Sequence, residues 1–386
     1  MSDPHVLQII DGLNIGGAEI LLRELTVGLM KRGFRISVAY GTPGPLVSDM
    51  KALGVHLIRI PRLLRVDPLQ LTMLYRAIKM TAPAIVHTHL FKSDFHGRLA
   101  ARLAGVPVVV STLHSIDRWA ERWPLGNLYG LTARYADRII AVSEDVKNFH
   151  AQHTGVDESK FVTIDNGVDT DRYVGLGSAR DTVRNELSIP QGSILFGIIG
   201  RLTPPKDHRT FLHAVKLIFE KVPHARFLVV GDGPLRESLV QLTGELGIQN
   251  AVIFTGFRKD IPAVLAALDV LVISSVWEGL PVNLLEGMAS FKPVVATAVG
   301  GIPAVVTTET AILAPPSDPK AIAQACILLA EDSALRQRMG NAGHKRVIQH
   351  YSLDAMVDQT ARLYAELLKA KGLQHFIPSV MAGYDT

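Results

Sequence analysis

Residues 193–210 read SILFGIIGRLTPPKDHRT, and this stretch predicts the fold. Its first part, Ile194–Ile199, is an apolar run without polar alternation, which is typical of a strand buried on both faces of a sheet. After Lys206, apolar residues recur at the spacing of one helix face: Phe211, Val215, Ile218 and Val222. A buried strand followed by an amphipathic helix is the repeating unit of a parallel α/β sheet.

The same alternation continues along the chain. In the first half the apolar runs are His5–Ile10, Ile36–Tyr40, His56–Ile60, Ala84–Thr88, Val106–Ser111 and Arg138–Val142. In the second half they are Ile194–Ile199, Arg226–Val230, Val252–Thr255, Val270–Ser274 and Pro293–Thr297. Two such series predict two Rossmann-like, doubly wound α/β domains, residues 1–180 and 181–354. The boundary is expected between Tyr173 and Pro190, where the apolar periodicity lapses.

Composition supports a folded protein of two ordinary domains, with 386 residues and a hydrophobic fraction of 48%. The N-terminus lacks the basic and apolar regions of a signal peptide. The most apolar stretch, Ala263–Trp277, contains Asp269 and is too short to span a membrane, which needs about 20 apolar residues. The single cysteine, Cys326, cannot form an internal disulfide and is expected in the core. These features predict a cytoplasmic protein.

The net charge of +4 is uneven. Residues 1–180 carry 21 Lys and Arg against 17 Asp and Glu, whereas the remainder carries 19 of each. This excess leaves open either ordinary surface charge or peripheral contact with an anionic membrane at its inner face. No motif of interleaved aromatic and basic residues supports nucleic-acid binding.

The first candidate site follows the strand Ile194–Ile199, where Gly200, Arg201 and Lys206 precede a helix. Ligands of open α/β sheets bind beyond the carboxyl ends of the strands. Two cations beside a helix N-terminus can stabilise a departing diphosphate. A later strand ends in GDG at residues 231–233, but Arg236 stands where the dinucleotide fingerprint requires its third glycine. A nicotinamide or flavin site is therefore disfavoured.

The second candidate site is WEGLPVNLLEGMAS, residues 277–290. Seven residues separate Glu278 from Glu286, and Pro281 suits the first position of a helix. Glu286 would then lie one to two turns into that helix. Such carboxylates can accept hydrogen bonds from sugar or ribose hydroxyls.

With these motifs in view, the chain resembles the large family of retaining glycosyltransferases with two Rossmann-like domains (the GT-B fold). That family includes sucrose synthases, bacterial glycogen synthases and phosphatidylinositol mannosyltransferases. The motifs occur in the family's order: Gly16-Gly17-Ala18-Glu19, His87-Thr88-His89, His114, Ser143-Glu144, Asn166-Gly167-Val168-Asp169, Gly200-Arg201 with Lys206, Gly231-Asp232-Gly233, Phe254-Thr255-Gly256-Phe257, Glu278 with Glu286, and Gly300-Gly301-Ile302-Pro303. One departure is Ala304, where members of the family often carry an acidic residue.

The resemblance implies two domains that face each other across a cleft, with C-terminal helices, about residues 355–386, crossing back to the acceptor-binding N-terminal domain. It implies that Arg201 and Lys206 clamp the donor phosphates and that Glu278 binds the donor sugar.

The remaining donor-binding roles also come from the resemblance. Glu286 would bind the ribose, and the loop of Phe257 and Arg258 would edge the base. Backbone N–H groups of Leu284 and Leu285 would bind phosphate. His114 would lie near the donor sugar, and Gly16, Gly17 and Gly200 would let backbone approach the donor.

Two patterns suggest a metal site. Asp169-Thr170-Asp171 matches the D-x-D motif of a different transferase architecture, but it follows Asn166-Gly167 and is better interpreted as a turn. The histidines His87, His89 and His114 lack an accompanying zinc-ligand motif. We therefore predict no metal and no cofactor, the nucleotide sugar being a substrate.

The predicted activity is retaining transfer of a hexose from a nucleotide diphosphate, with UDP favoured over GDP and ADP. The acceptor would be a glycan, a lipid-linked saccharide or a small molecule, in glycan or cell-envelope polysaccharide biosynthesis. Two alternatives remain open: a sugar-nucleotide 2-epimerase, which would need no acceptor, and a non-catalytic protein that binds a nucleotide sugar.

Overall fold

The computed structural model describes residues 4–61 and 68–381. The chain divides into two compact units. The first comprises Met1–Asn166 together with Asp354–Thr386, and the second comprises Gly167–Leu353.

The first unit contains a parallel sheet of seven strands. In chain order they are β1 (His5–Gly12), β2 (Arg35–Thr42), β3 (His56–Arg59), β4 (Ile85–His89), β5 (Val108–Leu113), β6 (Arg138–Ala141) and β7 (Phe161–Thr163). Their spatial order is β3-β2-β1-β4-β5-β6-β7. Successive strands are therefore added first on one side of β1 and then, from β4 onwards, on its other side, as in a doubly wound fold.

The second unit contains a parallel sheet of six strands. They are β8 (Leu195–Ile199), β9 (Arg226–Val230), β10 (Val252–Gly256), β11 (Val270–Ile273), β12 (Val294–Thr297) and β13 (Ala311–Ala314). Their order is β10-β9-β8-β11-β12-β13, so the reversal lies between β8 and β11.

Helices connect the strands and cover the sheets. In chain order they are α1 (Gly17–Lys31), α2 (Leu46–Ala52), α3 (Pro68–Thr81), α4 (Phe91–Ala104), α5 (Leu125–Ala133), α6 (Glu144–Thr154), α7 (Gly177–Glu186), α8 (His208–Lys221), α9 (Arg236–Glu245), α10 (Ile261–Ala267), α11 (Val282–Ala289), α12 (Ile302–Val305), α13 (Pro319–Glu331), α14 (Ser333–His350) and α15 (Leu353–Ala370). Short 3₁₀ helices include Thr170–Tyr173 and Pro204–Lys206.

The predicted α/β class is confirmed, since each of the predicted apolar runs overlaps a parallel strand. The strands β7 and β13 were missed. Each lies at a sheet edge and spans only a few residues, so it carries little periodic signal.

The core of the second unit has the helix face that the sequence predicted. Phe211, Val215 and Ile218 on α8 are fully buried, and they pack with Phe196 and Phe227 of the sheet. The thiol of Cys326 is buried in the same core. None of the helices in the described ranges is long and apolar enough to cross a membrane.

The boundary between the units lies before Gly167, earlier than the predicted position after residue 180. The reason is that α7 packs against α10 of the second unit, and Arg180 and Arg184 both pair with Asp269, at 2.6 and 2.7 Å. The start and the end of the second unit are hydrogen-bonded to each other, because Val168 donates its backbone N–H to the Tyr351 carbonyl at 2.9 Å.

Helix α15 packs within the first unit. Arg32, the C-cap of α1, donates to the Asp358 carboxylate at 2.6 Å, and the hydroxyl of Tyr364 lies 2.6 Å from Nδ1 of His87. Gly28 of α1 lies against the side chain of Val357, where a Cβ would come within 2.6 Å.

Candidate active site

The second unit presents its candidate site residues at the reversal point of its sheet. The loop after β8 carries Arg201 and Lys206, and the loop after β11 carries Glu278. Because β8 and β11 are adjacent and parallel, their carboxyl ends meet at one edge. This is the crevice in which open α/β sheets bind ligands.

Lys206 and Glu278 form an ion pair there. Nζ of Lys206 lies 2.5 Å from Oε1 of Glu278, and Ser275 donates its hydroxyl to the same oxygen at 2.6 Å. Glu278 is only 8% exposed, so these two partners replace hydrogen bonds that water would otherwise make to its carboxylate. The ion pair brings together two of the predicted residues, whereas Ser275 was missed.

Backbone contacts hold the two loops against each other. Val276 donates its N–H to the Pro205 carbonyl at 2.9 Å, and the Ser274 hydroxyl donates to the carbonyls of Lys206 and Asp207. These contacts between the two loops fix the relative position of the cation and the carboxylate.

Arg201 lies on the same loop but is exposed. Within the described part of the chain its guanidinium has no carboxylate partner. The adjacent Gly200 faces the methylenes of Lys206, where a Cβ would lie 3.8 Å away. Arg201 is therefore a cation at the edge of the site that is available to an anionic ligand.

The glycine loop at Gly300 and Gly301 also contacts the segment that carries Glu278. Gly300 has φ +51, and a Cβ there would lie 2.0 Å from the carbonyl oxygen of Glu278. Its neighbour Gly301 donates its N–H to the Gly279 carbonyl at 2.7 Å. Residue 300 must be glycine because both its dihedral angle and the contact exclude a side chain.

Helix α11 begins one residue later than predicted, since Pro281 is its N-cap and Val282 its first helical residue. Leu284 and Leu285 are fully buried. The N–H of Leu284, which was expected to face phosphate, donates to the Pro281 carbonyl at 3.2 Å. Asn283 anchors the helix start, because its side-chain amide donates to the Ile199 carbonyl at 2.7 Å.

Glu286 lies in the second turn of α11, and its Oε1 accepts a hydrogen bond of 2.9 Å from the hydroxyl of Tyr173. Tyr173 was not predicted. Its only sequence signal is its position just after the Asn-Gly-Val-Asp turn.

Phe257 and Arg258 follow β10, at the far edge of the same sheet. The Phe257 ring is exposed, whereas the Arg258 guanidinium bonds to the carboxylates of Glu186 and Asp260. These hydrogen bonds raise the pKa of Arg258. Base contact by Arg258 would therefore compete with two existing ion pairs.

The D-x-D motif forms the start of the 3₁₀ helix Thr170–Tyr173. Asp169 is its N-cap, and its carboxylate accepts from the N–H of Asp171 at 3.3 Å. Among the described residues, no group of three or more His, Cys, Asp or Glu side chains could hold a metal ion.

In the first unit, the predicted glycine loop and His114 follow β1 and β5. Gly16 is the N-cap of α1 in an extended conformation, and Gly17 is its exposed first residue. His114 lies 3.1 Å from His89, measured from Nε2 to Nδ1. His87 is bonded through both ring nitrogens, to Tyr364 and Thr112.

Burial determines the protonation of these histidines. Desolvation lowers the pKa of His87 to about 3 and that of His114 to about 4, and it also lowers the pKa of His89 well below its usual value. All three are neutral at pH 7. His114 therefore offers neither a positive charge nor a base of matched pKa to a reacting sugar.

Comparison with known families agrees with this architecture. Residues 15–172 match the family described as Glycosyltransferase Family 4, and residues 179–346 match the family Glycosyl transferases group 1. Each match falls almost entirely within one structural unit.

One similar protein is UDP-Gal:alpha-D-GlcNAc-diphosphoundecaprenol alpha-1,3-galactosyltransferase of Escherichia coli. It is 30% identical over 370 residues, covering 92% of this chain and 95% of that protein. Among solved structures, the Anabaena protein HepE in complex with UDP-glucose superposes with a TM-score of 0.85 at 22% identity, covering 95% and 99% of the two chains. Sucrose-phosphate synthase from Thermosynechococcus elongatus superposes with a TM-score of 0.82 at 22% identity, covering 95% and 100%.

The two parallel sheets and the ordered motifs agree with these matches in both units, and the relative from Escherichia coli spans nearly the whole chain. The protein therefore belongs to the group 1 family of glycosyltransferases, which use nucleotide-sugar donors, and it has the GT-B fold.

Proposed function

We propose that this glycosyltransferase moves a hexose from a UDP-sugar to a hydroxyl of a lipid-linked saccharide, with retention of configuration and without a metal ion. The reaction breaks the bond between the anomeric carbon and the donor phosphate oxygen and forms a new bond to the acceptor oxygen. The acceptor proton leaves with the UDP phosphate.

The observation that carries the proposal is the ion pair of Lys206 and Glu278 at the reversal point of the second sheet. When a diphosphate departs, negative charge develops on its oxygens, and a preorganised cation stabilises that charge most in the transition state. Lys206 is held by Glu278, on the loop after a neighbouring strand, so its ammonium is already positioned at the carboxyl ends of the strands. Arg201 adds a second cation at the same edge.

These cations also support metal independence. In metal-dependent phosphate chemistry a divalent ion neutralises the leaving group. Here Arg201, Lys206 and the start of α11 can supply positive charge without it.

The hydrogen bonds that the acidic side chains already make support retention of the anomeric configuration. An inverting transferase needs a base behind the anomeric carbon. Glu278 is paired with Lys206 and Ser275, and Glu286 is bonded by Tyr173. With both carboxylates committed, a donor phosphate oxygen is the base that we assign, and attack then comes from the leaving side.

The choice of donor and acceptor is supported by likeness. HepE is described in complex with UDP-glucose, and the relative from Escherichia coli acts on a UDP-sugar and a diphosphoundecaprenol-linked saccharide. We extend the UDP-sugar donor and the lipid-linked acceptor to this chain, and we place it in the biosynthesis of cell-envelope polysaccharide. The donor side is expected to require Gly16, Gly17 and the loop at Phe257 as well.

Peripheral contact with the inner face of a membrane would suit a lipid-linked acceptor. In the first unit Trp123 is 84% exposed and Leu131 is 52% exposed, close in sequence to the exposed Arg122 and Arg134. Exposed tryptophan with flanking basic residues suits an anionic membrane interface. A reducing, cytoplasmic environment suits the single buried thiol of Cys326.

The test is turnover on a donor panel of UDP-, GDP- and ADP-hexoses, with and without a diphospholipid-linked GlcNAc acceptor. We expect UDP release that depends on the acceptor, and proton NMR of the first-formed product should show the donor's anomeric configuration. Inversion would refute the mechanism. Conversion of the free nucleotide sugar without acceptor would indicate the epimerase, and binding without any turnover would indicate a non-catalytic protein.

A further inference from the structure

Tyr173 makes a contact with the candidate donor site that the mechanism above does not use. Its side chain is only 5% exposed, and its hydroxyl donates to Oε1 of Glu286 at 2.9 Å, across 113 residues of sequence. A hydrogen bond to an ionised carboxylate is among the stronger ones in proteins. The contact therefore restricts how the Glu286 side chain can turn.

The segment that carries Tyr173 is itself anchored. Asp169 caps the 3₁₀ helix that ends at Tyr173. Just before it, Val168 donates its N–H to Tyr351 and accepts one from Leu353, at 2.9 and 3.0 Å. Backbone hydrogen bonds on one side and burial on the other thus hold the phenol in place.

Glu286 alone would be less well oriented. A glutamate has three side-chain torsions, and the freedom of such a side chain must be given up when it binds a ligand. A carboxylate can accept about four hydrogen bonds, and the bond from Tyr173 uses one of them. The two hydroxyls of a ribose are donors for such a group.

We infer that Tyr173 is a positioning residue that orients Glu286 towards the ribose hydroxyls and so determines the preference for ribonucleotides over deoxyribonucleotides. The inference rests on the proposed function, in which Glu286 binds the ribose of the donor. Tyr173 itself does not touch the ligand. Its effect should appear only with ligands that carry the hydroxyl groups Glu286 accepts.

The experiment is calorimetric titration of the full chain with UDP, 2′-deoxy-UDP and 3′-deoxy-UDP, after a titration with UDP, GDP and ADP has identified the base that binds. The variants are Tyr173→Phe and Glu286→Gln, with Tyr364→Phe as the matched control. Tyr364 is also a buried tyrosine with a side-chain partner, His87, but it lies in the first unit.

We expect wild type to prefer UDP over at least one deoxy form by about tenfold, the effect of one hydrogen bond to a charged group. Tyr173→Phe should weaken UDP binding by about threefold to tenfold, while the deoxy form changes less than about twofold. The ratio of the two affinities therefore falls. Because both ligands are measured on the same sample, a reduced folded fraction cannot produce this change, and Tyr364→Phe should leave the ratio at its wild-type value.

The remaining outcomes separate the two ideas. If Glu286→Gln abolishes the ribose preference but Tyr173→Phe keeps it, the positioning role of Tyr173 is wrong and the role of Glu286 stands. If Glu286→Gln leaves both affinity and preference unchanged, Glu286 does not bind the ribose and the inference is overturned with it. If no nucleoside diphosphate binds the wild-type protein, the proposed function itself fails.

Discussion

The ammonium of Lys206 lies 2.5 Å from Oε1 of Glu278, although the two residues are 72 positions apart in the sequence. They meet because β8 and β11 are neighbours at the reversal point of the second sheet. Each neutralises the charge of the other. In the proposed function Lys206 contacts the diphosphate and Glu278 the donor sugar, so the pair holds both binding groups at one place.

Lys206→Ala should lower kcat by about two orders of magnitude, with a smaller change in KM for the donor. The physical reason is that the charge of Lys206 matters most when the diphosphate has departed. Steady-state kinetics with a defined acceptor measures this. Lys216→Ala, an exposed lysine on α8, is the control and should behave as wild type. A rise in KM at unchanged kcat would contradict the role.

Arg201→Ala should also reduce kcat more than donor affinity, but with little change in the free energy of unfolding. Arg201 is exposed, so its loss strands no buried charge. Comparing turnover and thermal unfolding in Arg201→Ala and Arg209→Ala separates the two effects, because Arg209 is an exposed arginine on α8. Equal kinetics in the two variants would remove Arg201 from the site.

Gly300→Ala should destabilise the protein by about 1–3 kcal/mol and also reduce turnover, since the new methyl would displace the Glu278 backbone. The matched control is Gly244→Ala on α9, where a Cβ meets nothing within 4 Å. That variant should be neutral or slightly stabilised. Denaturant unfolding and donor kinetics on both variants test the prediction, which fails if Gly300→Ala resembles the control.

Activity should survive chelation. The cations of Arg201 and Lys206 can carry the phosphate charge, so EDTA should leave the initial rate unchanged and added Mg²⁺ or Mn²⁺ should not raise it. The assay is acceptor-dependent UDP release. Loss of activity in EDTA with recovery in Mn²⁺ would revive Asp169 and Asp171 as metal ligands.

The first unit should lose stability as the pH falls below about 6.5. The folded-state pKa values of His87, His89 and His114 lie below their unfolded values, so protons favour the unfolded chain. Each such histidine contributes a loss of about 1.4 kcal/mol per pH unit between its two pKa values. Burial raises the pKa of Asp94 to about 6, which acts in the opposite direction and partly offsets the loss.

Fluorescence-monitored unfolding of a Trp277→Phe variant can follow this effect, because the remaining tryptophans lie in the first unit. The midpoint of the unfolding transition should be lower at pH 5 than at pH 7. In His89→Asn the unfolding free energy should depend less steeply on pH, by a slope equivalent to about one proton. A flat profile in the parent variant would mean that the three histidines are not neutral in the folded protein.

The strands of both sheets were predictable because a buried parallel strand requires a continuous apolar run, which is a local property of the sequence. The candidate cations and carboxylates were predictable for the same kind of reason, since they occupy loops at the ends of such strands. What these residues contact was not predictable. Arg258 shows this, because the sequence does not reveal that its guanidinium donates hydrogen bonds to Glu186 and Asp260.

The sequence by itself determined the α/β class, the two series of strands and the residue types available at the strand ends. Tertiary structure alone decided that Lys206 meets Glu278, that Tyr173 donates a hydrogen bond to Glu286 and that α7 belongs to the second unit. The physical reason lies in the range of the two kinds of information. Periodicity records which face of each element is buried, whereas strand order and helix packing decide which distant side chains come within hydrogen-bonding distance.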